Sequence, residues 1–145
     1  AGMKILQINE MGPDTAMLLH EKVQQGEFIV IAADRTSPTS LHRVSRALFF
    51  SKQASFPQGP FILAALLECR VFLLFALNNG RCYDIVLEHF ADALHFPRRQ
   101  REALLGDVIQ RYANRLEHYC RLAPLQWFNF FNFWQNNDSH KKTGR

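Results

Sequence analysis

The chain has 145 residues, 48% of them hydrophobic and 12% aromatic, enough to bury one domain core and too few for two comfortable ones. That apolar content excludes a disordered protein, and 7 Gly with 6 Pro exclude a collagen-like or linker chain. The 17 Lys+Arg against 13 Asp+Glu leave a formal charge of +4, which suits an acidic partner such as a phospholipid headgroup, a phosphorylated substrate or an acidic carrier protein without choosing among them.

Thr15 to Gln25 reads as a helix with Leu18, Leu19 and Val23 on one face, stopped by Gly26. Phe28 to Ala33 follows as a continuous apolar run of strand length. Such a run, lacking alternation, predicts a strand covered on both faces, as in a parallel sheet. Asp34-Arg35 ends it, and Thr36 to Ser40 is a Thr/Ser/Pro loop. Leu48-Phe49-Phe50 reads as a short strand and Ser55 to Gly59 as a turn. Pro60 suits the first turn of a helix running to Glu68, where its missing N–H costs nothing.

Val71 to Leu77 and Cys82 to Glu88 read as strands joined by the Asn78-Asn79-Gly80 turn. A long helix is expected from Arg98 to Arg121, with Leu105, Val108, Ile109, Tyr112, Leu116 and Cys120 forming its apolar stripe. Its other face mixes arginines with Glu102, Asp107 and Glu117, which fits a solvated face or a docking surface. Pro124 closes the helix, and the dense aromatic run Trp127 to Trp134 follows. This run suits either a cap on the core or a membrane interface and acyl-chain groove, where rings lie partly wet. The polar, basic tail Gln135 to Arg145 reads as disordered. The expected fold class is α/β, a mixed sheet flanked by helices and ending in a long amphipathic helix.

Cys69, Cys82 and Cys120 are odd in number and lack metal-site spacing, which suggests free thiols in a reducing compartment. The N-terminus lacks the apolar run of a signal peptide, and Ala1-Gly2 before Met3 reads as a cloning remnant. The stretch Phe61 to Leu77 is broken by Glu68-Cys69-Arg70, so it reads as two elements rather than a membrane span.

There is no G-x-S-x-G elbow, no Walker A loop and no dinucleotide glycine fingerprint. None of the six His residues has an acidic residue five positions on, and no metal cluster emerges; no cofactor is expected. Asp34-Arg35 is the best candidate feature, since the carboxyl end of a buried strand is where open α/β sheets place ligands. Arg35 suits bidentate binding of a phosphate or carboxylate with Asp34 orienting it, and the pair suits equally an internal ion pair pinning the loop. Gly59 offers a helix start to an anion, or is only a helix start. Arg111 and Arg115, with Trp127 and Trp134, are the candidates for carrier or membrane docking.

These ordered pieces resemble the C-terminal half of the bacterial lipid A biosynthesis acyltransferase family, the lauroyl/myristoyl-type enzymes of the glycerolipid acyltransferase superfamily. The resemblance runs through Glu21-Lys22-Val23-Gln24-Gln25-Gly26-Glu27 into Ile31-Ala32-Ala33-Asp34-Arg35, then Phe56-Pro57-Gln58-Gly59-Pro60-Phe61-Ile62-Leu63-Ala64-Ala65 and the strand at Val71. It continues with Arg115-Leu116-Glu117-His118-Tyr119, Ala123-Pro124 and Trp127-Phe128-Asn129-Phe130, so that it covers Ile5 to Trp134. It implies residues 1–134 as the C-terminal part of an acyltransferase domain, a partial glycerolipid-acyltransferase-like fold. It also implies transfer of a fatty acyl group from acyl carrier protein, or coenzyme A, to a hydroxyl of a lipid or glycolipid at the cytoplasmic face of the inner membrane.

In that family the general base is a His with an acidic residue five positions on, in the N-terminal half, and neither it nor the usual membrane anchor occurs here. The matching position gives Asp34-Arg35 a place on the acceptor side. The chain is therefore expected to be inactive alone, as a fragment or a truncated product. The alternatives are a non-catalytic module binding an acidic carrier or anionic membrane, and an inert remnant. Exposed sheet edges and apolar surface in a half-domain predict self-association.

Overall fold

A computed structural model describes residues 13–35, 43–130 and 133–134. The chain divides into two compact units, residues 1–31 and 32–145. The loop expected at Thr36 to Ser40 and the tail from Gln135 lie outside the described residues.

In the first unit, helix α1 spans Pro13–Gln24. Its end is a Schellman motif: Gly26 sits at φ 80°, its N–H donates to Val23 O at 2.9 Å, and Glu27 N–H donates to Lys22 O at 3.0 Å. Lys22 Nζ adds an ion pair to Glu27 at 3.0 Å. The apolar run that follows is not a strand. Phe28 and Val30 are 88% and 78% exposed, and no ladder partner pairs with this backbone among the described residues. A strand covered on both faces needs neighbours on its edges; apolar content alone supplies none.

The described residues of the second unit form two hairpins and two helices, a small mixed α/β arrangement. Strands β1 (Val44–Phe49) and β2 (Lys52–Pro57) pair antiparallel. The expected turn at Ser55 to Gly59 is instead the end of β2 and the start of the next helix. The true turn is Phe50-Ser51, with φ 51° and 62°. Both residues occupy the left-handed region that two-residue hairpins require. Neither is Gly, which hid the turn. Helix α2 (Gly59–Leu67) carries Pro60 in its first turn and buries Phe61, Leu63 and Leu67.

Strands β3 (Val71–Asn78) and β4 (Tyr83–Ala91) form the second antiparallel pair, with an irregularity between Val71 and Phe72. The Asn78-Asn79-Gly80 turn stands: Asn79 Oδ1 accepts the Arg81 and Cys82 N–H groups at 3.0 Å, and Asn78 Oδ1 accepts Gly80 N–H at 2.7 Å. Among the described residues the strands form two separate two-stranded antiparallel sheets, so no mixed or parallel sheet is present there.

Helix α3 (Arg101–Leu122) is about 33 Å long at 1.5 Å per residue. Its buried stripe contains every expected position and adds Ala113 and Tyr119. That stripe meets Ala47, Phe49, Ala54 and Phe56 of the first hairpin and Leu73 and Phe90 of the second in one core. Phe49, Phe56 and Ile109 are fully buried at its centre.

Candidate functional site

Asp34 and Arg35 close onto the aromatic run. Trp127 Nε1 donates to Asp34 Oδ2 at 3.1 Å, and Arg35 Nη2 donates to Phe128 O at 2.9 Å. Arg35 Nε lies 3.9 Å from Asp34 Oδ1. Among the described residues Arg35 makes these two contacts and keeps a half-exposed side chain, so guanidinium donors remain for an anion. Burial above all, with a smaller contribution from the Asp34 carboxylate, pushes the Tyr112 hydroxyl far above its ordinary range and the Cys120 thiol up to about 11. Cys120 is therefore an inert, protonated thiol at neutral pH.

Beside this pair lies an open groove of about 550 Å³ lined by Phe50, Cys120, Arg121, Pro124, Trp127 and Trp134, within the usual size of small-ligand sites. Its walls are apolar because both indole N–H groups are already used: Trp127 on Asp34, and Trp134 on Phe49 O at 3.1 Å. The rings pack internally as well. Trp127 meets Phe49 edge-on at 5.1 Å, and Trp134 stacks on Phe49 at 5.9 Å. At the rim, Arg121 lies 4.9 Å over the Phe50 ring and donates to Glu117 Oε1 at 2.6 and 3.0 Å. Within the aromatic run the most exposed of the described rings are Phe128 and Phe130, 62% and 90% accessible.

Arg111 and Arg115 point onto strand β4. Arg111 Nη2 donates to Phe90 O at 2.8 Å with its guanidinium 4.7 Å over the Phe90 ring. Arg115 Nη2 donates to Glu88 Oε2 at 2.8 Å while Nε lies 2.7 Å from Oε1. Tyr119 Oη donates to the same carboxylate at 3.1 Å, and its ring stacks on Phe75 at 3.9 Å. Gly59 opens α2, whose preceding Gln58 turns its amide back to Val44 O and Ser45 Oγ rather than capping the helix.

Sequence reasoning singled out Asp34-Arg35 and the tryptophans as candidates, but not the Trp127–Asp34 and Arg35–Phe128 bonds, each across 93 positions. It also missed Arg121 and Cys120 as groove residues. Their signal was weak, a charged and a small residue at the end of an amphipathic stripe. Among the described residues no group of His, Cys, Asp and Glu is placed to hold a metal ion, and no helix is long and apolar enough to cross a membrane. No family model, curated protein or solved structure matches the chain.

Proposed function

We propose that this chain is the acceptor-side, C-terminal part of an acyltransferase of the lipid A type, with a partial glycerolipid-acyltransferase-like fold. One observation carries the reading. Two of the segments that carry the resemblance, those ending in Asp34-Arg35 and beginning at Trp127-Phe128, meet through the Trp127–Asp34 and Arg35–Phe128 hydrogen bonds. Residues far apart in sequence form one constellation, with a partly free guanidinium beside an apolar groove.

That pairing suits an amphiphile. Arg35 meets a phosphate or sugar oxygen of the acceptor with the remaining donors of its planar fork, and the groove accommodates an acyl chain. In the parent reaction the acceptor hydroxyl oxygen attacks the thioester carbonyl of acyl carrier protein, or coenzyme A. A tetrahedral intermediate forms, and the thiol departs as the new ester is left. The general base belongs to a His motif that these 145 residues do not contain. Such a base is worth about 10²–10⁴ in rate, so this chain positions the acceptor and does not transfer acyl groups alone. Exposed Phe128 and Phe130 support a peripheral seat on the cytoplasmic face of the inner membrane. Arg111 and Arg115 hold β4 against α3, which weakens their use in a separate carrier-docking module.

The test uses this chain joined to an upstream segment bearing the His motif, with acyl carrier protein thioester as donor and a phosphorylated glycolipid as acceptor. Arg35→Ala is expected to lower kcat/KM for the acceptor by about tenfold or more, with Arg35→Lys retaining part of it. Unchanged kinetics would remove the role given to Arg35, and absence of ester formation with every lipid acceptor would remove the acyltransferase reading.

A further inference from the structure

The second hairpin carries large apolar side chains on both faces. Leu73 and Phe75 turn toward the core, where Phe75 stacks on Tyr119. On the opposite face the register sets Phe72, Leu74 and Ala76 across from His89, Leu87 and Ile85. These large side chains are exposed: Phe72 40%, Leu74 54%, Ile85 62%, Leu87 60% and Tyr83, at the end of the ribbon, 65%. We propose that this face is the contact between two copies of the chain in a closed two-fold dimer.

Area, charge and symmetry each favour a second copy. At about 100 Å² per half-exposed large side chain, the patch offers about 500 Å², near the top of what a monomer normally leaves open. Two such patches bury about 1,000 Å², the lower limit for a specific interface. A weak, concentration-dependent dimer follows. The face holds no Lys, Arg, Asp or Glu; its polar groups are His89, which lies 3.2 Å from Asp92, and Asn78 with Tyr83 at the end of the ribbon. An acidic carrier or anionic headgroup would find no basic partner there, whereas two copies of a +4 chain would meet without opposing charges. An antiparallel ribbon is also close to two-fold symmetric about its own normal, which lets the same patch face itself across the ~10 Å spacing of stacked sheets.

Sedimentation velocity of the full chain from about 1 to about 500 μM tests this. The expected result is a monomer–dimer equilibrium with a midpoint of tens of micromolar. The variant Leu74→Lys with Leu87→Lys, altered at one exposed cross-strand pair, should raise the dissociation constant at least tenfold with unchanged far-UV circular dichroism. A second measurement covers the case where that variant misfolds. Broadening of the wild-type Leu74 and Ile85 methyl signals by a soluble paramagnetic agent should fall as concentration rises. A monomer throughout the range, a dimer insensitive to the double variant, methyl broadening independent of concentration, or open-ended growth would each overturn the proposal. So would flotation of the wild type with neutral phosphatidylcholine vesicles that the variant loses, which would give the face to lipid.

Discussion

The two hairpins share a topology and differ in what holds them. A lone two-stranded ribbon is marginal in water, so each must draw support from elsewhere. The first buries Ala47, Phe49, Ala54 and Phe56 completely and turns through Phe50-Ser51 in a left-handed conformation that costs about 1–2 kcal/mol per residue. Tertiary contacts offset that cost: Phe50 N–H donates to Glu117 Oε2 at 2.7 Å, and the Phe50 ring lies under Arg121. The second hairpin has a self-sufficient loop of Asn side chains and Gly80, yet leaves one face open. Local turn chemistry and burial are therefore separable supports. One hairpin relies on packing, the other on its own loop.

Breaking that contrast gives the largest expected effect. Phe49 is fully buried and touches Phe50, Phe56, Trp127, Phe133 and Trp134. Phe49→Ala should cost about 3–5 kcal/mol in urea unfolding. Leu74→Ala, on the open face of the second hairpin, should stay within about 0.5 kcal/mol when measured on dilute protein. Similar losses at both positions would mean that the two hairpins are equally embedded.

The same contrast explains what could be read in advance. The second hairpin was legible because Asn-Asn-Gly is turn chemistry visible in the residues themselves, and α3 because its stripe repeats at helical spacing over six turns. The first hairpin was not. Its turn residues, Phe50 and Ser51, carry no local preference for positive φ, and their stabilising partners Glu117 and Arg121 lie far along the chain. The run Phe28 to Ala33 failed in the other direction, since its composition suits a strand but pairing depends on a neighbour. At the candidate site, Asp34 and Arg35 stood out as charges after an apolar run. Their bonds to Trp127 and Phe128 are long-range facts that no spacing rule encodes.

Each hairpin also has one edge residue closed by a glutamine, which sharpens the comparison at smaller scale. Gln110 of α3 accepts Leu48 N–H at 2.8 Å and donates to Leu48 O at 2.9 Å. Gln126 accepts Asn78 N–H at 2.6 Å and donates to Asn78 O at 2.7 Å. Each amide acts as a one-residue strand on an open edge. Gln110→Ala and Gln126→Ala should each cost about 1 kcal/mol, with faster hydrogen exchange confined to the Leu48 amide in one and the Asn78 amide in the other. Exchange spreading over a whole hairpin would show that the glutamine holds the ribbon and not merely its edge.

Acid reaches both hairpins through one carboxylate each. Glu88 ties β4 to α3, and its pKa is lowered from the ordinary 4.5 chiefly by the Arg115 hydrogen bond, against the opposing effect of burial. Glu117 ties the first turn to α3 and is lowered first by Arg121, then by the Phe50 N–H. A carboxyl group with a depressed folded-state pKa binds its proton more readily in the unfolded chain. Its contribution is therefore complete above about pH 4.5 and is lost as pH falls through the folded value. Both pairs are partly exposed, so solvent screening keeps each within about 1 kcal/mol. Arg115→Gln and Arg121→Gln should lower stability at pH 7 by that amount or less, with a smaller deficit at pH 3, below the ordinary carboxylate value of 4.5. The Arg121 effect should be the smaller, because Arg121 is 61% exposed and Arg115 37%, and because Glu117 keeps its bond to Phe50. Denaturant midpoints at the two pH values decide it: a deficit that persists undiminished at pH 3 would mean the arginines act through their contacts with the Phe50 and Tyr119 rings and not through charge.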